Sequence, residues 1–328
     1  MLFWTYEYII IAQAKSANVC AVFVPHIYKQ KEEEELLFQV TVDALSVGSV
    51  YALIAMGYNL VYGILGQLNF AHGDVYTVGC FVAFTLSVSG VNPILAIILG
   101  VCAGALVNLI VERFAYRPLR KKGSNRIAPT ISAVGIAYIM RNIVQLKWGP
   151  QTYAFDMKII QSRSLQIGNV YIGTLQIWIL FIAVAIMVLM MLALKKTRWG
   201  QAITSISQDI AAASLMGIRT DRIIAIIYGL GAALGVMGGI LFCSYYGFIY
   251  MGIGFAFGTM KAWMATIWGG IGSLKGAIVG ALCLGIIETF VGAYLSTTYK
   301  DVIVWFVFIV FIMIRPHGLF PQEVAEKV

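Results

Sequence analysis

Charge is scarce in this 328-residue chain: Asp, Glu, Lys and Arg together make up 12% of it, about half the share of an ordinary soluble domain. Histidine is rarer still, with His26, His72 and His317 the whole complement. The five cysteines (Cys20, Cys80, Cys102, Cys243, Cys283) are scattered, with no CxxC pair and no metal spacing. Neither a disulfide framework nor a metal site is expected from them; four lie in or beside apolar blocks, where cysteine acts as a small buried hydrophobe. A Walker A loop is also missing. In GGIGSLKG, Lys275 stands between Leu274 and Gly276, which does not fit GxxxxGK[ST]. The chain is therefore not expected to bind or hydrolyse ATP. HExxH is absent, and no GxSxG comes with a plausible triad, so no catalytic residue and no resident cofactor is assigned.

What the chain has in abundance is apolar sequence. Hydrophobic residues make up 60% of it, and they come in long blocks separated by short charged stretches. Crossing the hydrocarbon core of a bilayer takes about 20 residues of helix, and most blocks are near that length. In lipid only helices and closed barrels satisfy their own backbone hydrogen bonds. Continuous runs without period-2 alternation select helices. The expectation is an all-α, polytopic transmembrane bundle of eight or nine spans, with helices near 40–62, 74–90, 93–112, 127–147, 174–194, 221–243, 253–269, 275–296 and 301–314.

The net charge of +8 matters less than its placement. Residues 112–126 carry Arg113, Arg117, Arg120, Lys121, Lys122 and Arg126, and residues 195–222 carry Lys195, Lys196, Arg198, Arg219 and Arg222. Such clusters mark cytoplasmic loops rather than a nucleic-acid surface. Two spans separate the loops, so both assignments agree, and the same count puts the C-terminus in the cytoplasm. The stretch 148–173 then faces outside, with Gly168-Asn169 reading as a tight hairpin.

Residues 1–38 form an atypical N-terminal extension ahead of a transmembrane domain at 39–328. The extension holds Lys15, Ser16, Asn18, Pro25 and the run KEEEE, and lacks a signal-peptide pattern. It is expected to be peripheral, or to reflect a start set too early; Met56 is the next methionine, so a shorter start would use another codon.

Small residues set helix packing: Gly231, Gly235 and Gly239, and Gly272, Gly276 and Gly280, recur every four residues and each series should open a groove of bare backbone. Three polar features stand out. In 63–79, Asn69, His72 and Asp74 lie among glycines between two apolar blocks; this is either a turn whose polar groups are satisfied, Asp74 capping the next helix, or a broken helix lining a substrate route. Lys261 and Glu288 are ionisable residues in apolar spans; they are candidates for the translocation path, able to pair between their two helices, or, for Lys261, to snorkel instead. The stretch 199–222 is too polar to span. It reads as one short amphipathic helix ended by Gly217, resting on the membrane surface or docking on a cytoplasmic partner.

The run LSVGSVYALIAMGYNLVYGILGQLNFAHGDVYTVG resembles the first part of LivH-type permeases, the membrane subunits of ABC importers for branched-chain amino acids. SQDIAAASLMGIRTDRIIA, GTMKAWMATIWGGIGSLKGAIVGALCLG, AYLSTTYKDVI and RPHGLF are similar in order, so the likeness runs from about residue 40 to the end. The resemblance implies a multi-pass protein of the bacterial inner membrane, working with a second, related permease, two cytoplasmic ATPase subunits and an extracytoplasmic binding protein. It implies leucine, isoleucine and valine as substrates, and a coupling segment at 200–218 that includes Asp209, Ala213, Leu215 and Gly217. A permease for urea, amides, other amino acids or a monosaccharide is the nearest alternative, and an ion-coupled secondary transporter a more distant one.

Overall fold

The computed structural model describes the backbone of residues 20–320 apart from 126, 157–163 and 168–169, and side chains from Leu36 onward outside 126 and 157–172. Its long helices are α1 (Cys20–Leu65), α2 (His72–Val88), α3 (Pro93–Val111), α5 (Ile127–Trp148), α6 (Thr174–Lys196), α9 (Thr220–Tyr246), α11 (Leu274–Tyr294) and α12 (Lys300–Ile314). Shorter pieces are α4 (Arg117–Lys121), α7 (Arg198–Gln208), α8 (Ile210–Leu215) and α10 (Met260–Gly269). Two π turns, Glu112–Tyr116 and Gly254–Thr259, interrupt the helical path.

Every one of the nine segments expected to be helical is helical. Six helices among the described residues are long and apolar enough to cross a membrane: Leu36–Leu65, Pro93–Lys121, Ile127–Trp148, Thr174–Lys196, Thr220–Tyr246 and Leu274–Tyr294. The three left over fall short in length. α2 has 17 residues, α12 has 15 and α10 has ten behind its six-residue π turn. At 1.5 Å per residue, 17 residues reach only about 25 Å against a hydrocarbon core of about 30 Å.

Two departures at the ends of spans have local causes. α1 begins at Cys20 and carries the KEEEE run within it, because Glu, Lys, Gln and Leu are all good helix formers and nothing between 31 and 40 breaks the path. The basic stretch after α3 stays helical to Lys121, through a π turn placed directly ahead of Pro118. That wider turn accommodates a proline, whose ring otherwise clashes with the carbonyl four residues back.

The core is built on α1 and α9, whose apolar windows are 78% and 72% buried, against 17% for α6. The α9 glycines explain the closeness. Gly231 meets the backbone of Gly57, Gly235 meets the His72 ring, and Gly239 meets Tyr76 and Cys80. The second glycine series divides differently from expectation. Gly276 and Gly280 pack against the α10 backbone at Gly269 and Ala265, but Gly272 lies in the preceding turn at φ +85°, a conformation glycine adopts without strain.

Contacts sort the helix termini to two ends of the bundle. At one end Trp148 donates to Thr85 at 2.8 Å, β1 (Tyr153–Ala154) pairs antiparallel with β4 (Phe248–Ile249), and Asp43 accepts from Tyr245 at 3.1 Å and from Gln176. β2 (Ser164–Ile167) and β3 (Val170–Gly173) pair antiparallel ahead of α6; the expected turn at Gly168-Asn169 lies outside the described residues. At the other end Arg117 and Arg120 bind Asp221 at 2.6 and 2.9 Å, which brings the two basic loops together. There too Leu319 N donates to Trp268 O at 2.9 Å, and Gly272 N to Asn59 Oδ1 at 3.2 Å.

Candidate functional site

Two interruptions of the helical path meet inside the bundle. The first is residues 66–71, between α1 and α2. Its opening residue, Gly66, has φ +62°, and the segment is held by polar side chains. Gln67 Nε2 donates to Tyr228 Oη at 2.8 Å, and Tyr116 Oη donates to Asn69 Oδ1 at 3.0 Å, with the Tyr116 and Tyr228 rings stacked at 5.3 Å. Asn69 also accepts from Ala71 N at 3.2 Å and is buried. The second interruption is the π turn Gly254–Thr259. Thr259 Oγ1 accepts from Gly73 N at 2.9 Å and donates to Phe70 O at 3.4 Å, so the second break supplies partners for backbone freed at the first. Gly73 and Gly254 pack so closely that a Cβ on either overlaps the other's carbonyl oxygen. Irregular backbone at membrane depth survives where protein or a water-filled cavity covers it.

His72 and Asp74 lie at this junction. His72 is buried in the α9 groove beside Gly235, its ring edge-on to Tyr58 at 5.7 Å and Tyr76 at 6.3 Å. Asp74 does not cap a helix, contrary to one sequence expectation, because α2 already starts at His72 and places Asp74 in its first turn. Its carboxylate, with no exposed side-chain surface, receives Arg141 Nε at 3.0 Å and Nη2 at 3.1 Å. A bidentate, charge-assisted pair of this kind is among the stronger hydrogen-bond arrangements. The Arg141 guanidinium also lies 4.8 Å from the Phe255 ring centre and 5.7 Å from that of Tyr138.

Lys261 and Glu288 form a separate cluster. Lys261 Nζ is 3.0 Å from Glu288 Oε2 and 2.8 Å from Asp301 Oδ1, and Lys300 Nζ is 2.9 Å from Glu288 Oε1. Lys261 is buried, so it pairs inward instead of snorkelling. The four charges sum to zero, which is how ionisable groups are held inside an apolar bundle. The structure does not bring this quartet to Asp74; it ties α10 to α11 and α12.

The segment expected to form one amphipathic helix forms two. Asp209, with φ −154° and ψ 112°, breaks it and caps α8 by accepting from Ala211 N at 2.8 Å and Ala212 N at 3.1 Å. A short acidic side chain at that position competes with the continuing helix and favours a cap. Ile203, Ile206 and Ala213 are buried against the bundle, whereas Leu215 and Met216 are 88% and 84% exposed. Gly217 follows at φ +84°. The outward knob is therefore Leu215 with Met216, and Ala213 faces inward.

Residues 40–313 match the family model described as "Branched-chain amino acid transport system / permease component". The chain belongs to this family. The permease is 37% identical over 310 residues to the high-affinity branched-chain amino acid transport system permease protein LivH of Escherichia coli (strain K12), covering 90% of this chain and 99% of that one. It is 36% identical over 302 residues to the corresponding BraD of Pseudomonas aeruginosa, covering 88% and 97%. Among solved structures, PsaBC from Streptococcus pneumoniae in complex with Fab aligns over 90% of this chain and 97% of that one at TM-score 0.46 and 14% identity, too distant a likeness to carry an argument.

Sequence reasoning about the permease singled out Asp74 but not Arg141, and Lys261 and Glu288 but not Lys300 and Asp301. The signal for Arg141 was available. It is a lone cation in the apolar run IAYIMRNIVQ, and an ionisable residue inside a span is a functional candidate by default. Thr259 carried no comparable mark, since its role depends on a backbone amide 186 positions away in the chain.

Proposed function

We propose that this permease is the membrane-spanning subunit of an ATP-driven importer that carries leucine, isoleucine and valine into the cell. Membership of the branched-chain amino acid permease family across residues 40–313 carries this reading. Two cytoplasmic ATPase subunits, a second related permease and an extracytoplasmic binding protein complete the machine. Leu215 and Met216 seat in the ATPase, with Asp209 and Gly217 fixing the two ends of the helix that presents them. The junction of the two helix breaks, with Asn69, His72 and Asp74, lies beside the translocation path, and the quartet of Lys261, Glu288, Lys300 and Asp301 braces it. The short helices α2, α10 and α12 complete nine passes of an inner-membrane protein, with the basic loops and the C-terminus in the cytoplasm. A ligand shifts two states only by its different affinity for each, so ATP acts through the partner subunits' closure on α8.

Uptake of labelled leucine by cells lacking the gene tests this. Restored, vanadate-sensitive uptake that valine inhibits is the expected result. Leucine uptake that the gene does not change, in a strain without a redundant system, overturns the substrate assignment.

A further inference from the structure

Two peripheral helices of the bundle both expose apolar side chains, and one of them adds polar groups to that face. On α6 the exposed large side chains are Ile177, Trp178, Phe181, Val184, Val188, Leu189 and Leu192, an aliphatic and aromatic surface suited to lipid. On α5, Ile131, Val134, Ile139, Ile143 and Leu146 are exposed as well, and among them Tyr138, Arg141 and Gln145 follow one another at three- and four-residue spacing, so they lie on one stripe. Tyr138 is exposed, as are Gln145 and the adjoining Asn142, and the Arg141 side chain retains 24% exposure although Asp74 holds it.

Depth rules out lipid as the cover for that stripe. Trp148 is level with Thr85 through their hydrogen bond. Seven residues of α5 put the Arg141 backbone about 10 Å below that level, and eleven residues of α2 put Asp74 about 16 Å below it. Arginine in lipid reaches toward the nearer surface. Arg141 instead points deeper, to Asp74, between the Phe255 and Tyr138 rings. Nε and Nη2 are engaged by the carboxylate, and Nη1 has no hydrogen-bond partner among the described residues. A guanidinium that keeps a quarter of its side-chain exposure at this depth faces a protein-covered or watered passage.

Resting on the reading under Proposed function, we infer that Arg141 is a subsite for the carboxylate of the transported amino acid, on the α5 stripe that faces the second permease. Asp74 already neutralises the guanidinium and sets its plane, so a passing carboxylate meets one free N–H edge with no full unpaired charge behind it. This suits a route that must release its solute. The Phe255 and Tyr138 rings flank the guanidinium and give the solute's apolar side chain a surface to slide on.

The test uses the assembled transporter in proteoliposomes, supplied with saturating leucine-loaded binding protein and ATP. Removing Arg141 alone would leave Asp74 as an orphaned buried carboxylate, so Asp74→Asn is compared with Asp74→Asn/Arg141→Gln. The double variant is expected to carry about tenfold less leucine per ATP than the single one, the loss of one charge-assisted hydrogen bond, with stimulated ATP hydrolysis unchanged within about twofold. Equal leucine per ATP in the two variants overturns the inference and leaves Arg141 as a structural counter-ion. Dissociation of the two permeases in the double variant also overturns it, because the carboxylate at Nη1 then belongs to the partner subunit. If Asp74→Asn does not assemble, Arg141→Lys against wild type takes its place with the same outcomes. Absence of leucine uptake by the wild-type transporter strikes the proposed function instead, and is seen before any variant is compared.

Discussion

Replacing Lys261 with Met, Glu288 with Gln, and both together gives a double-mutant cycle whose size follows from the quartet. Glu288 is the most enclosed of the four, with its side chain 2% exposed, and Lys261 is next at 5%. Breaking a fully buried ion pair costs about 3–5 kcal/mol, mostly for the charge left behind. Here each survivor keeps a second partner. Without Lys261, Glu288 still has Lys300, and Asp301 is 60% exposed and hydrates readily. Without Glu288, Lys261 still has Asp301. Each single exchange is therefore placed at about 2 kcal/mol, roughly a 30-fold change in the folding equilibrium. The double exchange removes both buried charges and leaves Lys300 and Asp301 at the rim, so it costs less than the sum by about 1.5 kcal/mol. Reversible unfolding of the purified permease in mixed micelles, followed by detergent titration, measures all three. Additivity within about 0.5 kcal/mol would falsify the coupling, and a Lys261→Met variant with folding and transport both unchanged would remove the quartet from the functional account.

Three further outcomes test other parts of the structure. Leu215→Ser/Met216→Ser should fold and reach the membrane normally, since both side chains are exposed, yet lower ATP-driven uptake about tenfold or more through loss of an apolar anchor; deletion of 211–217 should abolish coupling outright, and transport that persists after that deletion refutes the assignment of α8. Gly73→Ala pushes a methyl group into Gly254 O and Thr259 Oγ1, and overpacking between two backbones should cost about 2 kcal/mol or more. Size-exclusion profiles of the detergent-solubilised protein at rising temperature check this, and a wild-type profile would mean that the two breaks do not touch.

Much of the architecture was legible because lipid imposes so few solutions. Apolar block length located the nine apolar helical segments, and the two lysine- and arginine-rich loops shared an end of the bundle as their charge implied. What the residues could not convey was how far each helix runs. Good helix formers carried α1 back through KEEEE and carried the chain past Glu112, because local propensity decides a boundary that hydropathy leaves open. The single helix read at 199–222 failed for a related reason: Asp209 caps as readily as it continues a helix, and only its extended backbone distinguishes the two.

The candidate site was legible in part, and the part that was missed has one character. Asn69, His72 and Asp74 were found because polar residues among glycines are conspicuous in an apolar chain. Tyr116 and Arg141, the partners of Asn69 and Asp74, lie 47 and 67 positions away along the chain, and Thr259, which accepts from the neighbouring Gly73 amide, lies 186 away; nothing local announces such pairings. Yet these bonds explain why two helices can stop within a membrane-embedded bundle. The amide of Gly73 has Thr259 as its acceptor, and Asn69 has Tyr116 as its donor, so neither break stands without contacts from outside its own segment. A short cleft of about 110 Å³ lies against the last turns of α1, just ahead of the first break. Ile203, Thr204 and Ser207 of α7 line it together with Asn59 and Gly63 of α1 and with Gly272 and Leu274 at the turn that follows α10. α7, which leads into the helix that presents Leu215 and Met216, and the turn between α10 and α11 thus border one space, with the last turns of α1 shared between them.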